Sequence, residues 1–309
     1  MSDERTVRTA AGLRLRAWVD GAPDAPGTVV LLHGWTLDSR TWGPVASRLA
    51  SRARVIRYDH RGHGHSEHPS RADMTIEGLA DDLADVIDEL APSGPLVLAG
   101  HSMGGMAIMA LAERHPRLFA DRVGGVALIS TAAGGLADIT LGLPVRVFGL
   151  VRKAEATLAE AAWVERRPVL TRRPALIAPG LRRLLIGRDA DRGAARITVR
   201  CIAECRPSTM LGFRPTLDAH ERHDALAAFD GIPTEVMIGS RDKLTPVHHS
   251  RRIVATARRA RLTVYPEAGH MLPLERVDAV TERLVELLES AVTRGPSGSA
   301  PAPAKPAET

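Results

Sequence analysis

The fold of this 309-residue chain is predicted from one stretch in particular, Leu96-Val97-Leu98-Ala99-Gly100-His101-Ser102-Met103-Gly104-Gly105-Met106. An apolar run enters the pattern Gly100-x-Ser102-x-Gly104, which is typical of a strand, a tight turn and a helix with serine at the tip of the turn. A serine there has strained backbone geometry, so its neighbours two residues away on each side must be small. The first amides of the following helix point at the turn, where an oxyanion could use them. The pattern predicts a nucleophilic Ser102, with a glycine-rich loop as the alternative.

The overall composition is that of a globular protein with an aliphatic core. Apolar residues make up 44% of the chain and aromatic residues 3%, so a large core is available. The charged N-terminal residues lack the apolar segment of a signal peptide, and no run approaches the roughly 20 apolar residues of a membrane span. We therefore expect a cytoplasmic protein without a transmembrane segment. Cys201 and Cys205 are expected to be reduced core thiols.

The net charge of +5 is unevenly distributed along the chain. Residues 136–222 contain sixteen Lys or Arg and nine Asp or Glu. A basic segment could attract anionic substrates or a membrane surface, or it could be an arginine-rich solvated face. No motif indicates a nucleic-acid partner, and the oligomeric state stays open.

Buried-type strands alternate with helical patterns along most of the chain. Apolar runs at 28–32, 55–59, 96–100 and 123–129 are each followed by a turn and a segment with helical periodicity. This alternation predicts a parallel sheet with helices on both faces. Residues 136–222 interrupt it with proline-broken helical patterns, and the strands resume at 234–238 and 261–265. The predicted organisation is a core at 1–135 and 223–293, an all-helical cap insertion at 136–222 and a disordered tail at 294–309.

Three side chains suited to nucleophilic catalysis follow three of these strands. A serine hydroxyl needs a base to take its proton and an acid to orient that base. Ser102, Asp242 and His270 each follow a separate strand in the order Ser, Asp, His. Because the carboxyl ends of parallel strands lie at one edge of the sheet, we expect these side chains to meet.

The chain resembles the α/β-hydrolase superfamily, and its serine-nucleophile esterase and perhydrolase-like branch in particular, from about Thr6 to Val292. The matching motifs are His33-Gly34-Trp35, Asp59-x-Arg61-Gly62-x-Gly64-x-Ser66, Gly100-x-Ser102-Met103-Gly104-Gly105, Gly239-x-x-Asp242 and Gly269-His270. The resemblance implies an α/β-hydrolase fold with a mostly parallel eight-stranded sheet. It implies Ser102 as nucleophile, His270 as general base, and Asp242 as the acid that orients it.

The same resemblance implies an oxyanion hole and no cofactor. The backbone N–H groups of Trp35 and Met103 would form the oxyanion hole. His60, His63, His65 and His68 resemble metal ligands, but they occupy the glycine-turn motif, so we expect no metal site there. Asp59 and Arg61 are expected to fix that loop.

Serine as nucleophile favours hydrolysis of a small-molecule carboxylic ester through an acyl-serine intermediate. Cofactor-free perhydrolases (haloperoxidases), carbon–carbon bond hydrolases and acyltransferases share the triad and stay open, as does a non-catalytic ligand-binding protein. A lipase active at lipid interfaces is a subordinate alternative. The aliphatic segment after the sixth strand suggests a small to medium apolar acyl group. The predicted substrate-binding residues are Trp35, Leu136, Ile139, Leu143, Phe148 and Met271.

Overall fold

An eight-stranded sheet lies at the centre of the protein. The computed structural model describes residues 2–137 and 174–294. The strands are β1 (Asp3–Arg8), β2 (Arg14–Asp20), β3 (Thr28–Leu32), β4 (Arg54–Tyr58), β5 (Leu96–His101), β6 (Val123–Ile129), β7 (Thr234–Gly239) and β8 (Ala260–Tyr265). They lie in the order β1-β2-β4-β3-β5-β6-β7-β8. Strands β3 to β8 pair in parallel, and β2 is antiparallel to both β1 and β4. The predicted mostly parallel sheet is confirmed.

Ten α-helices flank the strands within the described residues. They are α1 (Gly43–Leu49), α2 (Ile76–Leu90), α3 (Met103–Arg114), α4 (Pro116–Arg122), α5 (Pro174–Leu185), α6 (Arg192–Glu204), α7 (Pro207–Asp218), α8 (Val247–Thr256), α9 (Leu272–Glu275) and α10 (Val277–Arg294). Thr75 caps α2, since its hydroxyl accepts a hydrogen bond from the Gly78 N–H at 3.0 Å. A 3-10 turn over Ser39–Trp42 precedes α1, and Asp38 caps this turn.

The alternation of side chains along β3 explains its continuous apolar run. Val30 and Leu32 pack into the core under α2 and α3, whereas Val29 and Leu31 pack into the core under α1 and α10. All four side chains are fully buried. A strand covered on both faces has no solvent-exposed face, so none of its side chains needs to be polar. The sheet is therefore the middle layer of three.

Three helices of the predicted cap insertion fall within the described residues. Helices α5, α6 and α7 lie between β6 and β7 in the chain. Leu185 of α5 and Cys201 of α6 share a third apolar cluster with Leu37 and Met271, which follow the ends of β3 and β8. These helices therefore pack at the carboxyl ends of the strands. The first part of the predicted insertion, residues 138–173, lies outside the described residues, as does the predicted tail from residue 295; Arg294 itself ends α10.

Two further expectations concern the cysteines and the membrane. Cys201 and Cys205 are buried and form no disulfide, and burial raises the pKa of both thiols.

Among helices in the described parts of the chain, none has the length and hydropathy required to traverse a bilayer.

Candidate active site

Ser102 occupies a strained turn between β5 and α3. Its backbone lies at φ 52° and ψ −118°, outside the regions that L-residues prefer. A Cβ at Gly100 would lie 2.5 Å from backbone atoms of Gly104, and a Cβ at Gly104 would lie 2.5 Å from the carbonyl oxygen of Leu32. Only glycine fits at either position. The close contacts that fix this turn hold Ser102, half-buried, above the end of β5.

Asp242 and His270 form a buried pair. Nδ1 of His270 lies 2.8 Å from Oδ2 of Asp242. The same carboxylate accepts hydrogen bonds from the N–H of Leu244 and from both the N–H and the hydroxyl of Thr245. Burial alone would raise the pKa of Asp242, but His270 and these hydrogen bonds lower it to about 2. An ionised Asp242 fixes the His270 proton on Nδ1 and leaves Nε2 able to accept one.

Hydrogen bonds to three residues hold the backbone at and beside His270. Its N–H donates to the carbonyl of Leu185 at the end of α5, and its carbonyl lies 2.8 Å from Nε2 of His101. Glu275 accepts hydrogen bonds from the N–H groups of Gly269 and Met271, on either side of His270. Burial lowers the pKa of His101 to about 3, so this ring is neutral and donates from Nε2. These ties hold the backbone of the histidine in place.

The loop after β3 lies against Ser102. A Cβ at Gly34 would lie 3.2 Å from the Cβ of Ser102, which places the next residue, Trp35, at the nucleophile turn. Thr36, with φ 63°, donates its N–H to Nε2 of His63 at 3.3 Å. On the other side, Met103 is the first residue of α3, where a helix amide has no intrahelical acceptor. Both predicted oxyanion-hole residues thus flank Ser102.

Three further histidines, His33, His60 and His63, hold loops behind this site. Nδ1 of His33 donates to the Gly34 carbonyl, and its Nε2 accepts from the N–H of His60. His63 contacts the carbonyl of Arg61 through Nδ1. Burial lowers the pKa of His33 to about 4 and that of His63 to about 3. Neutral rings that use both nitrogens in this way position the β3 loop.

Asp59 and Arg61 fix the loop after β4, as expected from the sequence. The Asp59 carboxylate accepts hydrogen bonds from the N–H groups of Ser39 and His65 at 2.8 Å. The Arg61 guanidinium makes two hydrogen bonds of 2.7 Å to the carboxylate of Asp82 on α2. Both side chains of this second pair are buried. The loop is therefore anchored to the 3-10 turn after β3 and to α2.

Ser102 and His270 open into one cavity of about 280 Å³. Of the residues predicted to bind substrate, Trp35, Leu136 and Met271 line this cavity, and Ile139, Leu143 and Phe148 lie outside the described residues. Helices α5 to α7 contribute six further apolar side chains to the lining: Leu181, Leu184, Leu185, Ile202, Met210 and Leu217. The cavity can hold a small molecule with an aliphatic chain against Ser102.

The sequence reasoning missed the contribution of α7. Met210, Arg214 and Leu217 all line the cavity, and their spacing of four and three residues places them on one helix face. An arginine on an otherwise apolar face is the signal that could have identified this helix. Thr245, three residues after Asp242, was also missed; that spacing suits a hydroxyl that bonds back to the carboxylate.

Comparison with known proteins gives a consistent family assignment. The sequence profile of the family described as alpha/beta hydrolase fold matches residues 27–277. A thermophilic esterase from Thermogutta terrifontis has a similar structure, with a TM-score of 0.72 and 26% identity over 94% of this chain and 99% of the esterase.

Two curated relatives match most of the chain. The dihydrolipoyllysine-residue acetyltransferase component of the acetoin cleaving system of Pseudomonas putida is 28% identical over 284 residues, 91% of this chain and 68% of that protein. The pimeloyl-[acyl-carrier protein] methyl ester esterase of Neisseria meningitidis is 29% identical over 280 residues, 89% of this chain and 81% of the esterase. A probable oxidoreductase of Mycobacterium tuberculosis is matched over only 18% of its own length.

Proposed function

This chain belongs to the alpha/beta hydrolase fold family, and from that premise we propose that it is a hydrolase that cleaves carboxylic esters with Ser102 as its nucleophile. The observation that carries the proposal is the pairing of His270 with a buried, ionised Asp242 beside the cavity onto which Ser102 opens. The similarity to esterases supports the choice of an ester as substrate.

In the first half of the proposed reaction, the Ser102 hydroxyl attacks the acyl carbon of the ester. Nε2 of His270 takes the hydroxyl proton, and Asp242 stabilises the imidazolium that forms. The carbonyl oxygen becomes an oxyanion between the N–H groups of Trp35 and Met103. His270 then gives the proton to the leaving alcohol, and an acyl-Ser102 ester remains.

In the second half, water takes the place of the alcohol. His270 removes a proton from the water, the resulting hydroxide attacks the acyl carbon, and Ser102 leaves with the proton that His270 returns. The same two N–H groups donate hydrogen bonds to the second oxyanion. Residues that hold the backbone of His270, such as Glu275, serve both halves because one imidazole must act as base and acid in turn.

The cavity supports a small to medium acyl group. Its volume of about 280 Å³ lies near the lower end of the range for small-molecule sites. The lining from α5 to α7 supports our further proposal that residues 136–222 form a cap insertion over the core, which comprises residues 1–135 and 223–293. Ile139, Leu143 and Phe148 stay predictions for the acyl site.

A fluorophosphonate probe tests the nucleophile, and a series of p-nitrophenyl esters tests the substrate class. We expect the folded protein to be labelled at Ser102 and to hydrolyse esters of short to medium acyl chains. The Ser102→Ala variant should lose both labelling and turnover while keeping its circular dichroism spectrum. Labelling at another residue, or equal hydrolysis by Ser102→Ala, would contradict the proposal.

A further inference from the structure

One charged pair interrupts the aliphatic wall of the cavity. Arg214 and Asp218 both line it, and Nε of Arg214 lies 3.4 Å from Oδ2 of Asp218. Arg214 is on the same face of α7 as Met210 and Leu217, the residues that form part of the aliphatic wall. The guanidinium is therefore placed where the carbon chain of a bound acyl group would lie.

Arg214 has a hydrogen-bond donor without a partner in the described part of the chain. Its Nε is buried and has no hydrogen-bond partner there, because the contact with Asp218 lacks hydrogen-bond geometry. The guanidinium carbon lies 5.6 Å from the centre of the Trp35 ring, and the indole N–H of Trp35 donates to the Met210 carbonyl. The ring and the helix thus hold the arginine in place and leave its Nε without a hydrogen-bond partner in the described residues.

A guanidinium held in this way is suited to an oxygen acceptor on a ligand. Its five N–H donors lie in a rigid plane that matches carbonyl and carboxylate oxygens. Only 24% of the Arg214 side chain is exposed, so water cannot surround the group, and a buried donor without a partner is costly. Asp218 balances the charge of Arg214, so a neutral carbonyl oxygen fits the site as well as a carboxylate does.

We propose that Arg214 binds an oxygen acceptor on the acyl chain of the substrate and so makes the enzyme selective for keto- or carboxy-substituted esters over plain alkanoyl esters. This inference rests on the proposed function, because it assigns a substrate class to the same cavity. Arg214 acts here as a specificity-determining residue and takes no part in proton transfer.

Three esters with six-carbon acyl chains test the proposal: p-nitrophenyl hexanoate, p-nitrophenyl 5-oxohexanoate and p-nitrophenyl hydrogen adipate. We expect the wild type to favour at least one oxygenated ester by about ten- to hundredfold in kcat/KM, the range for one hydrogen bond to a charged group. In Arg214→Met this ratio should fall to about one. Arg214→Lys, which keeps the charge but loses the planar fork, should give an intermediate ratio and serves if the Met variant does not fold.

Arg200 provides a matched control. It also pairs with a carboxylate four residues later in a helix, Glu204, but its side chain is 69% exposed, and it does not line the cavity. Arg200→Met should keep the wild-type ratio. A ratio that is the same in wild type and Arg214→Met, or one that Arg200→Met lowers equally, would overturn the inference and leave the proposed function intact.

A binding measurement separates failure of this inference from failure of the proposed function. In a Ser102→Ala background, we expect methyl 5-oxohexanoate or monomethyl adipate to bind more tightly than methyl hexanoate by calorimetry, and Arg214→Met to remove the difference. If no ester is hydrolysed but this Arg214-dependent binding is present, the proposed function is wrong and the recognition by Arg214 stands. If the difference in binding is absent as well, both proposals are wrong.

Discussion

At the scale of single residues, Asp242 carries a negative charge in a buried position of the candidate site. Its carboxylate is buried, and burial favours the neutral acid. Two N–H groups, one hydroxyl and the His270 ring offset that effect, and the pKa of Asp242 falls to about 2. The carboxylate therefore stays ionised at every pH at which the protein is expected to work.

Asp242→Asn should abolish most of the activity while leaving the fold intact. An asparagine amide can present its N–H₂ to Nδ1 of His270, which would then have to accept, and the proton would move to Nε2. In the Ser-His-Asp triad, the corresponding change lowers kcat by about 10⁴-fold, and we expect a loss of that order. Steady-state kinetics on a p-nitrophenyl ester measures it.

Asp278→Asn is the control for Asp242→Asn. Asp278 is 87% exposed and pairs with Arg48 on the surface, so its loss should change kcat by less than about twofold. A kcat for Asp242→Asn within tenfold of the wild type would exclude Asp242 as the orienting acid.

The residues proposed for the chemistry could be predicted from sequence, and those proposed for selectivity could not. Ser102 is marked by glycines that the turn requires, and Asp242 and His270 directly follow strands whose ends must meet. For Arg214 the only local signal is an arginine on an apolar helix face, and its position in the cavity depends on how α7 packs over the sheet. Tertiary packing of helices is not contained in a short sequence window.

At the scale of elements, a buried ion pair fastens the loop after β4 to α2. Arg61 and Asp82 are 5% and 0% exposed, and two hydrogen bonds of 2.7 Å join them. A Cβ at Gly78 would lie 2.6 Å from Nη1 of Arg61, which explains a glycine inside α2. The arrangement of helix and loop thus depends on one desolvated pair.

Removing one partner of the Arg61–Asp82 pair should destabilise the protein more than removing both. Arg61→Met or Asp82→Leu alone leaves an unpaired buried charge, and we expect a loss of about 3–5 kcal/mol in the free energy of unfolding. The double variant replaces the pair with apolar side chains, so its loss should be smaller than that of either single variant. Urea denaturation followed by circular dichroism measures all three.

Asp81, next to Asp82 on α2, supplies the comparison for this experiment. It also makes a two-bond pair, with Arg114 at 2.9 and 2.8 Å, but both side chains are 41% exposed. Its removal should cost less than about 1 kcal/mol. If Asp81→Leu and Asp82→Leu were equally destabilising, burial of the pair would not be the cause.

Some helices and strands can be predicted from local sequence, and others depend on contacts with distant residues. The bounds of β6 are those predicted, because a buried apolar run is a local signal. The threonine cap and apolar face of α2 are local signals of the same kind. The 3-10 turn at Ser39–Trp42 was not predicted. It depends on Asp38 bonding to Arg40 and on Asp59, twenty residues later in the chain, accepting from Ser39.

At the scale of the whole molecule, the interior contains several neutral histidines. Burial lowers the pKa of His33 to about 4, of His63 to about 3 and of His101 to about 3. In the unfolded chain these groups titrate near pH 6.5. Between pH 6.5 and about 4 the unfolded state therefore binds more protons than the folded state, so acid favours unfolding.

The free energy of unfolding should consequently fall as the pH is lowered from 7 to 5. Each buried histidine contributes a slope of up to about 1.4 kcal/mol per pH unit below pH 6.5. The window above pH 5 lies above the range in which surface carboxylates titrate. Urea midpoints at pH 7.0, 6.0 and 5.0 test this; a constant midpoint would show that the histidines are not buried in neutral form.

The proposed catalytic residues and the proposed selectivity residue lie on different elements, which affects how the enzyme can be engineered. The side chains proposed to make and break bonds follow β5, β7 and β8, whereas Met210, Arg214 and Leu217 come from a single short helix. Replacing those three positions in one library leaves the sheet and its loops unchanged. Those three positions are therefore a compact set in which to redirect the enzyme toward new esters by directed evolution.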